Sequence, residues 1–533
     1  MVKKTQWLKT WMAADCGSIQ YYKWFHTGLG LVYLAAFIPL FFQIDVLIGA
    51  KGLLPAVDLL HISYQQQGIF KSIIQFPSFF HLWPTNSMLY LLVALGCMGG
   101  LMLLLNRNIF WGALLAWASF ISITSVGSDF FIIIIDLFLA EVGFLAILSS
   151  YFVHRYAAIP NLIDLCFKLL NFRLWFCMGV NKFYMPLDVW TNFTFFDYFF
   201  QAQPMPTPLA HYFHNAPQWA KYTAEAGLFV GEIIVPFFVF GRKKMRLIAF
   251  ATFLVISVLI QLTGNYGFFN VLSVVTAFTI LKKGDFLSSY KAPKNPLPSF
   301  YLPVPVSAIL LVHAAYQLLY CFYVFDPTPY SYQNHYNYYF NNLKPSNKTL
   351  DKIAEPFRWI GYWRICNPYG VFKGIPRYHG ELRFSGSNNG TDWQYYKFRF
   401  LPSALTDYTG FYAPIYPRLD HVMFYETLHE GAYLHNPLNN YSDRMPPWIC
   451  NFLYKLSVND TGISSQLKEN PFMGKKAPQY IKVDAYKLEF APLSSTHTWQ
   501  EKEPTKTKIY TQDSINSCNT TILTRSEALQ LIF

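Results

Sequence analysis

Eight ionisable side chains fall inside or at the edge of long apolar runs: Asp129, Asp136, Glu141, Asp164, Arg173, Lys182, Glu225 and Glu232. A charge in hydrocarbon is costly, so each needs either a partner or a use. One use is a polar cavity in which carboxylates and cations relay protons or ions, or in which a desolvated lysine acts as a base. The other reading is a set of internal ion pairs that fix helix packing, and the spacing favours this one. Asp129 and Lys182 fall at predicted helix ends, where a long side chain can snorkel to the interface and the cost is smaller.

Metal and redox chemistry find no footing. The eight cysteines (16, 97, 166, 177, 321, 366, 450 and 518) show no CxxC and no paired ligand spacing, as zinc sites require. Neither a metal nor a cofactor is expected. Cys366, Cys450 and Cys518 lie in the polar C-terminal part, where one disulfide can form and one thiol is left over. A different kind of candidate is the stretch 183–224, long and aromatic, with Gln203, Pro204, Met205, Pro206, Thr207 and Pro208 in succession. Alternate prolines favour an extended, polyproline-like path. Such a strip is either an exposed docking surface or a loop packed over helix ends, and both readings stand.

The elements that must position these residues follow from composition. The chain of 533 residues is 53% hydrophobic and only 14% charged, against about a quarter charged in soluble domains. The apolar runs end near Phe325, after which Asn, Lys, Asp, Pro and Tyr dominate. Two regimes predict a polytopic membrane domain over 1–326 and a second domain over 327–533. A span needs about 20 apolar residues, and nine stretches qualify: 24–43, 88–105, 109–127, 130–150, 161–182, 226–240, 247–263, 266–281 and 303–325. Gly227, Gly231 and Pro236 interrupt the sixth, so it is either kinked or re-entrant, and the count is eight or nine. The polar start gives no cleavable signal, which leaves the first span as the insertion signal.

Positive charge orients the chain. With the N-terminus inside, the inside segments hold Lys3, Lys4, Lys9, Arg107, Arg155, Arg242, Lys243, Lys244, Arg246, Lys282, Lys283, Lys291 and Lys294, whereas the outside loops before Phe325 hold only Lys51, Lys71 and Lys221. Lys and Arg stay cytoplasmic in short loops, so the C-terminal domain is predicted outside. The net charge of +12 is then a topology signal, and no nucleic-acid partner is expected. The sequons at Asn192, Asn347, Asn389, Asn440, Asn459 and Asn519 all fall outside in this arrangement.

In the outer domain, 381–400 reads as two β-rich runs around a Ser-Asn-Asn-Gly turn, and 479–490 alternates as a half-buried strand. The stretches 418–433 and 444–457 read as helices. A β-rich, sandwich-like domain with a helical insertion is expected.

Several of these stretches, taken in order, resemble the lipase maturation factor family of endoplasmic-reticulum membrane proteins. They are LIGAKGLLP (47–55), DLFLAEVGFLA (136–146), FRLWFCMGVNKF (172–183), QPMPTPLAHYF (203–213), EIIVPFF (232–238) and GNYGFFN (264–270). FSGSNNGTDW (384–393), APIYPRLDHVMFY (413–425) and NPF (470–472) continue the likeness into the outer domain. Cys177 and Asn181, Phe138 and Ala140, and His421 depart from the family pattern. The resemblance implies a non-enzymatic factor, multi-pass in the endoplasmic-reticulum membrane with a lumenal C-terminal domain, that helps secreted lipases fold and assemble into active homodimers. In a bacterial host the same chain would face the periplasm. Clients and the lipid bilayer are the implied partners, with Gln203, Pro204, Met205, Pro206, Pro417, Arg418 and Asp420 as candidate client contacts. A more distant likeness, carried by FCMGVNKFYMPLDVW (176–190), is to vitamin K-dependent γ-carboxylases, which would make Lys182 a base. A transporter using Asp136, Glu141 and Arg173 is the third class, although the membrane region shows no internal repeat.

Overall fold

The computed structural model describes residues 14–15, 18–131, 133–183, 189–286, 304–323, 361–367, 369–370, 375–433, 446–501 and 506–516. The apolar runs form helices α1 (Ile19–Ile48), α2 (Asn86–Leu104), α3 (Ile109–Val126), α4 (Ile134–Tyr156) and α5 (Asn161–Asn181). They are followed by α6 (Gln218–Phe229), α7 (Lys243–Thr263), α8 (Phe269–Ala277) and α9 (Val304–Tyr323). Every expected span has its helix. Six of them among the described residues are long and apolar enough to cross a membrane: α1 to α4, the extended α6 and α7. Helix α5 carries Asp164, Lys168 and Arg173, and the apolar parts of α8 and α9 are shorter (Phe269–Ile280 and Val306–Leu318).

The expected break in the sixth span is a change of pitch. Helix α6 runs on through a π-helical turn, Val230–Ile234, and a 3-10 stretch, Val235–Phe240, so that Gln218–Phe240 makes one 23-residue helix. Pro236 has no N–H to give to the ladder, and the altered pitch absorbs that loss.

Small residues bring α1, α2 and α3 together. A Cβ at Gly30 would lie 2.6 Å from the Gly100 carbonyl oxygen, and one at Gly99 would lie 2.6 Å from that of Gly112. Between apolar helices in lipid, such backbone proximity supplies the dispersion contacts that the hydrophobic effect does not. The outer face of α2 repeats at helical spacing, with Ser87, Leu91, Ala94, Met98 and Leu101 all exposed.

In the C-terminal part, β1 (His379–Ser387) pairs antiparallel with β5 (Tyr480–Phe490) along its whole length, from His379 opposite Leu488 to Ser387 opposite Tyr480. The expected hairpin forms between β1 and β2 (Gln394–Tyr395). Its turn is built on Asn389, whose Oδ1 accepts from the N–H groups of Thr391 and Asp392, and on Gly390 at φ 77°. Strands β6 (Trp499–Glu501) and β7 (Lys506–Thr511) share the other side of β5. The ribbon of β3 (Lys397–Phe398) with β4 (Leu467–Glu469) stands apart from this sheet.

Helices α10 (Arg418–Tyr433) and α11 (Pro447–Ser457) form where expected. Phe384 of β1 meets Phe398 of the ribbon and Phe452 of α11, while His379 lies against Phe424 of α10. The part is therefore β-rich, but among the described residues helices and a ribbon of two short strands, not a second full sheet, cover the main one. Buried apolar residues of the two parts form one cluster: Tyr416, Leu419, Val422 and Trp448 belong with Ile44, Phe130 and Phe138.

Candidate functional site: a buried polar seam

Two membrane carboxylates, Asp136 and Glu141, take partners from the C-terminal part of the chain. Asp136, in the first turn of α4, takes a two-pronged bond from Arg418 of α10, at 2.8 Å from Nη1 to Oδ2 and 2.7 Å from Nη2 to Oδ1. The Arg418 guanidinium also donates to the Phe130 carbonyl at 2.7 Å and lies 4.0 Å from the ring centroid of Phe131. Its backbone N–H donates to Gln43 Oε1 of α1 at 2.8 Å. Arg418 and Asp136 are both fully buried. A fork-shaped cation meeting a carboxylate in this way fixes orientation as well as distance.

One turn further along α4, Glu141 pairs with Arg173 of α5 and accepts from the Asn367 N–H at 2.9 Å and the Tyr369 hydroxyl at 2.8 Å. A second guanidinium nitrogen of Arg173 donates to the sulfur of Cys366. Nearby, Arg364 donates to the carbonyls of Thr124 (2.7 Å) and Phe131 (3.3 Å) at the end of α3 and the turn after it. Arg364, Cys366, Asn367 and Tyr369 thus reach into the helix ends and satisfy their polar groups.

Lys182 closes a third pair, with Glu232 of the π-helical turn. It also donates to the Met178 carbonyl at 3.2 Å and lies 4.8 Å from the Trp190 ring centroid. Asp164 is elsewhere, bound to Lys168 at 2.8 Å and facing Lys282 at 3.5 Å. Asp129 is half-buried in the turn Ser128–Phe131, and Glu225 is fully buried in α6. The eight residues are spread along the helix bundle and form no single cavity cluster. Among the described residues no group of three His, Cys, Asp or Glu could hold a metal ion.

The residues named as candidate client contacts are internal, and for 203–206 the reading of a loop packed over helix ends is the one the structure shows. Gln203, Pro204, Met205 and Pro206 are buried because their backbone and amide groups complete the ends of α7 and α8. Gln203 donates to the Thr263 carbonyl at 2.9 Å and accepts from the Tyr266 hydroxyl at 3.0 Å. Pro206 bridges Gly264, and Asn265 donates its N–H to the Met205 carbonyl at 3.2 Å. The two motifs 203–213 and 264–270 therefore lock each other. Pro417, Arg418 and Asp420 are buried as well, and Asp420 accepts from the Phe400 N–H at 2.9 Å. In the same stretch the outward side chains are those of Tyr408, Phe411 and Ile415.

Sequence reasoning missed Gln43, Asn265, Gln201 and His211, which also cross the seam. Asn265 bonds to Gly410, Tyr412 and Ala413, Gln201 to Arg377 and Phe490, and His211 to the Ala491 carbonyl at 2.5 Å. A polar amide alone in an apolar run, as at Gln43, is the signal that was there to find. Of the sequons, Asn192 and Asn389 are exposed. The Asn459 amide donates to the Phe472 carbonyl at 2.6 Å, and Asn347, Asn440 and Asn519 lie outside the described residues. Cys450 is in a disulfide.

These features define a polytopic membrane protein whose β-rich C-terminal part is keyed into the helix ends by buried polar contacts. A family model described as the lipase maturation factor transmembrane domain matches residues 21–288, and one described as the lipase maturation factor C-terminal domain matches residues 365–509. The chain belongs to the lipase maturation factor family. It is 26% identical to lipase maturation factor 2 of Rattus norvegicus, over 90% of this chain and 81% of that one. It is 23% identical to lipase maturation factor 1 of Bos taurus, over 89% and 85%. With lipase maturation factor 2 of Gallus gallus the identity is 35% over 48% of this chain, a span that covers 38% of the relative. No solved structure matches.

Proposed function

We propose that this protein is a membrane-bound, non-enzymatic factor that helps secreted homodimeric lipases fold and assemble. The observation that carries the reading is the family match over both parts of the chain, membrane and C-terminal. It would cross the endoplasmic-reticulum membrane eight or nine times with the C-terminal domain in the lumen. The disulfide at Cys450 and the exposed sequons Asn192 and Asn389 support an oxidising, glycosylating compartment for that side. Newly made subunits expose apolar surface and strand edges that aggregate unless shielded. A domain held at the membrane surface can retain them until they meet, with Phe411 and Ile415 as the outward side of the client contact.

Catalysis by Lys182 is disfavoured by its surroundings. A base needs a free amine, and here the ammonium is committed to Glu232 and the Met178 carbonyl. Transport through Asp136, Glu141 and Arg173 is disfavoured in the same way, since all three are engaged in the seam.

The test is co-expression of a secreted dimeric lipase in cells that lack their own maturation factor, scoring activity per mass of secreted lipase. Wild type and the paired variant Lys182→Met with Glu232→Leu should both raise specific activity. No rise with wild type removes the client assignment. A rise with wild type alone, at equal levels of the two proteins, gives Lys182 a role beyond packing.

A further inference from the structure

Within residues 56–83, the part after Gly68 exposes an apolar face that a soluble segment would bury. Two helices, Ala56–Gln67 and Ile69–Gln75, are joined at Gly68, which takes φ 83°. One set of polar side chains faces inward, while Asp58, His61, Gln65 and Gln66 of the first helix face outward. Ser63 and Ser72 share a hydrogen bond of 2.6 Å, the Gln67 amide donates to Ser63 at 2.8 Å and to Gln75 at 2.6 Å, and Tyr64 meets His81 at 2.5 Å. Leu60, Phe76 and Phe80 are buried, but a run of apolar side chains faces outward: Ile69 is 63% exposed, Phe70 78%, Leu82 78% and Trp83 55%, with Phe79 and Ile73 also exposed. In water this arrangement would waste the apolar surface, and a patch of this kind marks an interaction site. In a lipid surround it is the favourable one, because polar groups must be satisfied within the protein and apolar ones cost nothing outside.

The depth of the segment points the same way. Ser78 Oγ donates to the Ser122 carbonyl at 2.7 Å, and the Phe79 N–H donates to Ser122 Oγ at 3.2 Å. Ser122 is about one turn short of the end of α3 at Val126, about 6 Å below it along the helix axis. The segment therefore sits beside the spans and not above them. From Leu82 and Trp83 the chain passes directly into α2, whose outward stripe of Leu91, Met98 and Leu101 faces lipid if α2 crosses the membrane. The outward face of 56–83 continues that stripe upward. The one cation among its exposed apolar residues, Lys71, can reach headgroups on its flexible stem.

We propose that residues 56–83 form an interfacial anchor embedded in the leaflet on the side of the C-terminal domain, with phospholipid acyl chains against Phe70, Leu82 and Trp83. It lies on the membrane without crossing it. It makes the helix bundle wider in that leaflet than in the other and fixes the depth at which the C-terminal domain stands.

The experiment is photocrosslinking of the full chain in phosphatidylcholine proteoliposomes with radiolabelled acyl chains, with benzoylphenylalanine placed at Phe70, Leu82, Met98 or Asp58. Labelling by lipid at Phe70 and Leu82 should match that at Met98, and the exposed Asp58 should give none. Loss of lipid labelling at Phe70 and Leu82 to the level of Asp58 overturns the proposal. So does an adduct at these two positions to a second copy of the chain or to an added lipase, without lipid labelling. The result is independent of whether the protein matures lipases.

Discussion

Arg418, Asp420 and His421 share the first turn of α10, and burial acts on the last two in opposite senses. The Asp420 carboxyl is pushed up to about 7, chiefly by burial and against the N–H of Phe400 that it accepts. The His421 imidazole is pushed down to about 3, by burial and then by the Arg418 charge. An unfolded aspartate titrates near pH 4, so between about pH 4 and 7 the folded chain holds a proton on Asp420 that the unfolded chain has released. The stabilisation from that raised carboxyl is complete below about pH 4 and is lost as pH rises through about 7. Asp420→Asn keeps an acceptor for Phe400 and removes the buried charge. Its stability relative to wild type should grow between about pH 4 and 7 by on the order of 4 kcal/mol and then level off. Thermal denaturation of the detergent-solubilised proteins at several pH values checks this, and a gap constant with pH contradicts it. Nothing in the sequence around Asp420 distinguishes this buried carboxyl from an exposed one. Charge at a predicted helix start reads the same either way.

At the scale of elements the hydropathy pattern locates the apolar helices. Each of the nine expected stretches holds a helix, and six helices among the described residues are long and apolar enough to cross a membrane. The helix ends were less legible: α6 begins at Gln218, eight residues before the expected span, since Gln218, Lys221 and Glu225 dilute the apolar signal. The prolines of 203–208 announced an extended path but not its burial, which depends on Gly264 and Asn265 far along the chain. Close packing is likewise invisible until the partners are known. Gly30 and Gly227 look alike in sequence, yet a Cβ at Gly30 would strike the α2 backbone whereas one at Gly227 meets nothing within 4 Å. Gly30→Ala should destabilise the protein by about 1–3 kcal/mol, as overpacking does. Gly227→Ala should be neutral or slightly stabilising, because alanine is the better helix former. Equal melting temperatures for the two variants would refute the close approach of α1 and α2.

For the whole molecule, Asp136, Glu141 and Arg173 among the buried charges mark where the two parts join, and only the fold shows this, since Asp136 and Arg418 are separated by 282 residues. Removing the C-terminal part therefore does two things. It removes the surface proposed for clients, and it leaves Asp136 and Glu141 without Arg418, Asn367 and Tyr369. A buried charge stripped of its partner costs about 3–5 kcal/mol. A chain ending at residue 326 should insert with unchanged topology, because the spans before that point carry their own hydropathy and flanking charges. It should nevertheless accumulate poorly and support no lipase maturation. Adding Asp136→Leu to the truncated chain should recover part of its level without recovering activity. In the full chain, Arg418→Leu should lower stability, and Arg418→Met combined with Asp136→Leu should restore most of it. Immunoblots of membrane fractions, protease protection of a loop tag and the lipase assay separate these outcomes. A truncated chain that is both stable and active would show that the seam serves neither purpose. One that is stable but inactive would show that the helices hold their carboxylates unaided, and that the seam's task is to aim the C-terminal part.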